Sequence, residues 1–250
     1  MDPDLAFALE LADLADGMTL PAFRSADFAV ETKSDLTPVT EVDRAVEQAI
    51  RHRVERDRPG EGVVGEEFGS DEGDVRWIVD PIDGTKNFVR GIPVYGTLIA
   101  LERRGELVLG VAAAPALGRR WWALRGAGAF ADGAPIRVSS IDALGEAQLC
   151  FGGLNGWRRA GRLEPFLELA GRCRRTRGFG DFWMHMLVAE GSADIAVEPD
   201  VSLWDLAAVK VIVEEAGGRF TNLAGEGRAD GGSAVTTNGL LHESVLSALR

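Results

Sequence analysis

The sequence predicts an α/β protein in two halves: an α+β half over residues 1–142 around an antiparallel sheet, and an α/β half over 143–250 around a mainly parallel one. Three observations carry this. Helix-period segments open the chain at 3–20 and 41–57. Three strand-length runs, Tyr95–Glu102, Leu107–Ala114 and Arg119–Leu124, then follow one another through glycine and charged turns, the pattern of an antiparallel meander. From about residue 143, short strand runs alternate with helical ones, as crossover-connected strands do. With 250 residues, 46% of them hydrophobic, the chain can bury a substantial core, and neither a repeat nor a low-complexity linker marks the boundary.

Each element has a local reason. The first helix begins Met1-Asp-Pro-Asp4 and sets Leu5, Leu9, Ala12 and Ala15 on or near one face. It lacks the basic start and apolar centre of a signal peptide, and no run approaches the ~20 apolar residues of a membrane span, so a soluble cytoplasmic protein is expected. Thr40-Glu-Val-Asp43 starts the second helix. Gly62-Val-Val-Gly-Glu-Glu67 reads as a β-type run ending in paired carboxylates, and Trp77-Ile-Val79 as an interior strand ending at Asp80, which Pro81 biases towards an extended conformation. Gly126, Gly128 and Gly133 punctuate the end of the first sheet. Then come a strand at Gln148–Phe151, a helix at Leu163–Gly171, a strand near Arg174, a helix at Asp181–Glu190 and a strand at Asp194–Val197. The last helix carries Trp204, Ala208, Val211, Ile212 and Glu215 at helical spacing and stops at Gly217-Gly218.

The segment Asp80-Pro-Ile-Asp83-Gly-Thr85 concentrates chemistry. Two carboxylates meet a glycine turn, and Thr85–Phe88 can begin a helical turn whose first N–H groups face an anion. Acidic oxygens for hard cations beside amides for phosphate oxygens are what metal-assisted phosphoryl transfer requires. Turn formation and capping offer an alternative for each acid taken singly: Asp-Pro and Asp-Gly are turn formers, and Ser202 with Asp205, like Thr40 with Asp43, resembles a capping box. There is no Gly-x-Ser-x-Gly elbow. His52, His185 and His242 are scattered, His52 reading as solvated and His185, among Trp183, Met184 and Met186, as a packed helix residue. Cys150 and Cys173 read as free thiols. A net charge of −12 argues against nonspecific nucleic-acid or anionic-membrane binding; the exception, Arg172, Arg174, Arg175 and Arg177, reads as a strand edge with solvated arginines.

Four blocks occur in one order along nearly the whole chain: Leu36-Thr-Pro-Val-Thr-Glu-Val-Asp43, Gly65-Glu-Glu67, Asp80-Pro-Ile-Asp-Gly-Thr85 with Asn87-Phe88, and Trp204-Asp-Leu-Ala-Ala208 running to Glu215-Ala-Gly-Gly218. With them the chain resembles the inositol monophosphatase family of magnesium-dependent, lithium-sensitive phosphatases. Arg177-Gly-Phe-Gly-Asp-Phe-Trp183, Leu187-Val-Ala-Glu-Gly191 and Val197-Glu-Pro199 are most similar to its histidinol-phosphatase branch. The resemblance implies an αβαβα sandwich, usually a homodimer. It implies that Glu66, Asp80, Asp83 and Asp205, with the Ile82 carbonyl, bind two or three metal ions, and that Thr85, with Asp43 behind it, orients the attacking water together with Glu66. It further implies that Gly84 and Thr85 offer amides to the phosphate, and that Gly180, Asp181 and Glu198 recognise the substrate. An all-oxygen ligand set favours Mg²⁺, or Mn²⁺, over zinc. The function implied is hydrolysis of a phosphate monoester, histidinol phosphate in histidine synthesis before inositol monophosphate or another small sugar phosphate; a catalytically silent metal-binding protein is the reading from another class.

Overall fold

The structure, a computed structural model, describes residues 2–32 and 38–250; Leu36 and Thr37 of the first sequence block lie outside the described residues. Helix α1 (Pro3–Ser25) is started by Asp2, whose carboxylate accepts the N–H groups of Asp4 and Leu5, and it runs past the expected end through Pro21. Its last turn is held from outside, by Phe23 packing on Phe88 and Tyr95. Strands β1 (Val30–Thr32) and β2 (Pro38–Thr40) pair antiparallel before α2 (Glu41–Asp57). Next come β3 (Gly62–Gly65), β4 (Gly69–Ser70), β5 (Val75–Asp83), the short α3 (Thr85–Val89), β6 (Gly96–Arg103), β7 (Glu106–Ala114), β8 (Arg119–Leu124), β9 (Gly128–Ala131) and β10 (Ala134–Pro135). These strands form an eight-stranded sheet in the order β10-β9-β8-β7-β6-β5-β3-β4, antiparallel except between β3 and β5. The second part of the chain supplies β11 (Gln148–Phe151), α4 (Leu154–Arg159), α5 (Leu163–Arg172), β12 (Arg175–Arg177), α6 (Asp181–Ala189), β13 (Ile195–Glu198), α7 (Leu203–Glu215), β14 (Arg219–Thr221), β15 (Ala234–Thr237) and α8 (His242–Ala248).

The layers follow from two-sided burial. Along β5, Trp77 and Val79 join the core under α1 and α2, whereas Ile78 joins the core under α6 and α7, so the strand reads as a continuous apolar run. Helices α6 and α7 lie between the two sheets, and α4, α5 and α8 close the far face with Trp157, Phe166, Leu169, Val245 and Leu246. The result is the expected αβαβα sandwich.

Two sequence expectations need correction. The second sheet, ordered β12-β11-β13-β15-β14, is mixed rather than mainly parallel: β11 pairs parallel with β12 and β13, but β15 pairs antiparallel with β13 and β14. No helix separates β14 from β15, so the chain turns back without a crossover. Strand β5 does not end at Asp80 either. Its register to β6 slips between Asp80 and Asp83, at Pro81, which has no N–H for the ladder. In a regular strand residues three apart point to opposite faces; the irregularity lets both carboxylates reach one side.

Candidate active site

Asp80, Asp83 and Asp205 each place a carboxylate oxygen within 4.8 Å of the others. Asp80 and Asp83 come from the irregular end of β5 and are 2% and 8% exposed; Asp205 comes from the first turn of α7. At Asp205 the capping bond is present and is compatible with the expected ligand role. One oxygen, Oδ2, accepts the Ser202 N–H at 2.7 Å and locks the rotamer, which leaves the other for the cluster. At Asp83, Oδ2 accepts the Phe182 N–H at 2.6 Å and ties β5 to the start of α6. Asp80 is braced by the Ile82 N–H, 3.0 Å from its Oδ1.

These three acids line a cleft of about 630 Å³, together with Glu66, Ile82, Gly84, Thr85, Asp181 and Glu198. Glu66 is therefore on the cleft wall but outside the close carboxylate set, because it sits on the turn after β3 rather than on β5 or α7. That turn is clamped by a residue that sequence reasoning missed. The buried Glu47 carboxylate accepts the N–H groups of Glu67 (2.7 Å) and Phe68 (3.1 Å) and the Arg51 Nε–H (2.9 Å). It occupies the space a side chain on residue 65 would need: a Cβ at Gly65 would fall 2.0 Å from Glu47 Oε1.

Asp43 does not line the cleft; it stands behind Thr85, with Oδ2 bonded to the Thr40 N–H (2.8 Å) and hydroxyl and Oδ1 3.3 Å from Thr85 Oγ1. Burial holds its carboxyl above the ordinary range against those hydrogen bonds. Thr85 Oγ1 also lies 2.9 Å from the Ile82 carbonyl. Gly84, at φ 81°, makes the bend into α3 and approaches Val94 O too closely for a comfortable Cβ (3.0 Å). Gly180 is likewise behind the wall, a buried residue at φ 71° that starts α6. Asp181 follows at φ 50°, a left-handed conformation that costs a non-glycine residue roughly 1–2 kcal/mol. It is the first residue of α6, as the helix-start alternative has it, but its carboxylate accepts from Asn87 Nδ2 at 2.9 Å rather than from an N–H of its own helix.

The donor set fits a hard divalent cation: it is all oxygen, buried and negative. Burial, then Glu66, Asp83 and Asp205, push Asp80 well above the usual carboxylate range; burial, then Asp181 and Asp205, do the same to Asp83, and burial raises Asp205 to about 6. A carboxyl whose folded pKa is raised stabilises the fold below its unfolded value, about 4, and that contribution is lost as pH rises through the folded pKa. Metal-free protein should therefore lose stability between about pH 4 and 6 through Asp205 alone. A bound divalent cation should raise the melting temperature more at pH 8 than at pH 5. Melts with chelator and with excess MgCl₂ at both pH values check this; equal shifts would remove the cluster as the cation site.

A layered fold that brings buried acidic oxygens beside a helix start is the arrangement of a metal-dependent phosphatase. The model of the inositol monophosphatase family matches residues 1–250. A histidinol-phosphatase of Mycobacterium tuberculosis is 55% identical over 253 residues, spanning 98% of this chain and 97% of its own. One of Streptomyces coelicolor is 48% identical over 256 residues, spanning 98% and 96%. Among solved structures, an IMPase of Thermotoga maritima superposes with a TM-score of 0.91 at 32% identity, covering 99% of this chain and 97% of that one. The chain belongs to the inositol monophosphatase family.

Proposed function

We propose that the protein hydrolyses histidinol phosphate to histidinol and phosphate, using Mg²⁺, or Mn²⁺, held by Asp80, Asp83, Asp205, Glu66 and the Ile82 carbonyl. Bound, the cation supplies neutralisation of the ester oxygens and acidification of the attacking water. The protein's own groups orient the reaction. Amides of Gly84 and Thr85, at a turn whose first N–H groups lack helical partners, face the phosphate. The single hydroxyl proton of Thr85 can serve Ile82 O or Asp43 but not both. Turned to Asp43, it leaves a hydroxyl lone pair free to accept a hydrogen bond from the water that Glu66 would help place, and as that water's proton moves to Oγ1 the hydroxyl proton would pass to the Asp43 carboxylate. The homodimer comes with the resemblance.

The observation that carries the substrate is the pair Asp181 and Glu198 on the cleft wall. Burial pushes Asp181 up, against Lys86 and Asn87; burial, then Asp181 and Asp205, push Glu198 well up. A substrate bearing an ammonium group relieves both. Histidinol phosphate carries one, whereas inositol phosphate is neutral apart from its phosphate. A charge-assisted hydrogen bond is worth about 1.5–3 kcal/mol, roughly one to two decades in specificity. The names of the two bacterial relatives support the same substrate.

Asp181→Asn tests the reading, because asparagine tolerates the left-handed backbone. The kcat/KM for histidinol phosphate should fall about 10- to 100-fold, with inositol 1-phosphate little changed. An equal fall for both esters, or a wild-type enzyme that prefers inositol phosphate, would transfer the assignment to inositol monophosphatase.

A further inference from the structure

Outside the metal and phosphate positions, a buried chain of polar groups runs from Thr236 through His185 to Glu198 at the cleft. Asp181 and His185 are four residues apart on α6 and share a face. The register of β13 with β15 sets Thr236 opposite Ala196, and Ala196 and Glu198 point to the same side of their strand. Thr236 and Glu198 thus face α6 together, and His185 comes down between them. It is 1% exposed, with Nδ1 2.9 Å from Thr236 Oγ1 and Nε2 3.3 Å from Glu198 Oε2. The other Glu198 oxygen has room because residue 152 is glycine; a Cβ there would lie 3.0 Å from Oε1.

Hydrogen-bond capacity narrows the proton arrangement. Burial pushes the His185 imidazole down to about 3, so at neutral pH the ring carries one N–H and one lone pair. With an ammonium group bound beside it, Glu198 is held as a carboxylate and only accepts, which requires the proton on Nε2; Nδ1 then accepts, and the Thr236 hydroxyl donates to it. His242 supplies the contrast. It is equally buried, between the hydroxyls of Thr221 (2.9 Å) and Thr237 (3.0 Å), but among the described residues its ring hydrogen-bonds no carboxylate, and it does not line the cleft. Two hydroxyl partners suit a histidine that only joins strands and a helix. Exchanging one for a cleft carboxylate gives the ring a hold on the substrate-facing group.

We infer that His185, its tautomer set by Thr236, is a positioning residue that donates Nε2–H to Glu198 and holds that carboxylate as an acceptor aimed at the ammonium of an amino-alcohol phosphate. The inference rests on the histidinol-phosphate reading. Steady-state kinetics of the metal-loaded enzyme on histidinol phosphate and on inositol 1-phosphate separate the two. His185→Leu should raise KM for histidinol phosphate about tenfold, with kcat within about twofold and the neutral ester unchanged. His185→Gln, which keeps a donor, should recover most of that loss. In a Glu198→Gln background His185→Leu should add little, since the group it positions no longer accepts as a carboxylate. Thr236→Val, nearly isosteric, should move KM the same way by severalfold and keeps the test open if His185→Leu does not fold. Equal losses on both esters, or full additivity with Glu198→Gln, would overturn the inference while leaving the substrate reading intact. A wild-type enzyme with no preference for histidinol phosphate would overturn both.

Discussion

Asp83→Asn should lower kcat/KM for phosphate release by about three decades or more, equivalent to about 4 kcal/mol of transition-state stabilisation, without unfolding the protein. The substitution removes one negative charge from a set of three carboxylates within 4.8 Å, so the cation is held less tightly and neutralises less. It does not remove the structural contact: the asparagine carbonyl can still accept the Phe182 N–H that now reaches Asp83 Oδ2 at 2.6 Å. Stability should move the other way from activity. Because burial and the neighbouring acids hold the Asp83 carboxyl well above its ordinary range, its ionisation opposes folding of the metal-free protein at neutral pH and above. Metal-free Asp83→Asn should melt at or above the wild-type temperature at pH 8, with a flatter dependence on pH. Near-normal turnover in the variant would exclude Asp83 from the metal site. A lower melting temperature with normal activity per folded molecule would return it to a purely structural role.

Gly110→Ala, a change with no carboxylate of its own, is expected to damage the same site. Gly110 lies on β7 where α7 crosses the sheet, and a Cβ there would fall 2.4 Å from the Ala208 carbonyl oxygen and 3.0 Å from two further Ala208 backbone atoms. No flexible side chain can move aside. The helix must lift by roughly 1 Å to reach ordinary contact, and Ala208 is less than one turn from Asp205. Overpacking of this kind costs about 1–3 kcal/mol, and a misplacement of about 1 Å can cost about 100-fold in rate. Urea unfolding and phosphate-release kinetics on the same preparation check both effects. Unchanged activity would mean that the position of Asp205 does not depend on how closely α7 seats on β7.

Much of the architecture is legible from residue order alone. The three meander strands fall within one residue of their expected ends, and α2, β11 and α6 lie where periodicity puts them. Those elements carry their causes locally, in alternation of apolar residues, a capping Thr40, or a glycine at a turn. Strands β14 and β15 escaped because their pairing is decided by a neighbour rather than by their own pattern. Helix α1 passes Pro21 for a similar reason, the aromatic contacts of Phe23 lying on residues far along the chain. His185 reads as a packed helix residue and is one, yet the sequence offers one usable signal of more: its four-residue spacing from Asp181.

What the sequence by itself determined is the chemistry available. The spacing Asp80-x-x-Asp83-Gly84-Thr85, the capping pair Ser202 and Asp205, and the helix and strand periods are set by backbone geometry over a few residues. What only the tertiary structure decided is which groups meet. Asp83 joins α6 at a residue 99 positions away, Asn87 reaches Asp181 over 94, and His185 finds Thr236 over 51. Such meetings depend on how closely the layers pack, as at Gly110, where the missing side chain lets α7 seat and bring Asp205 to β5. Close packing is a property of all the layers at once, so no local stretch of sequence encodes it.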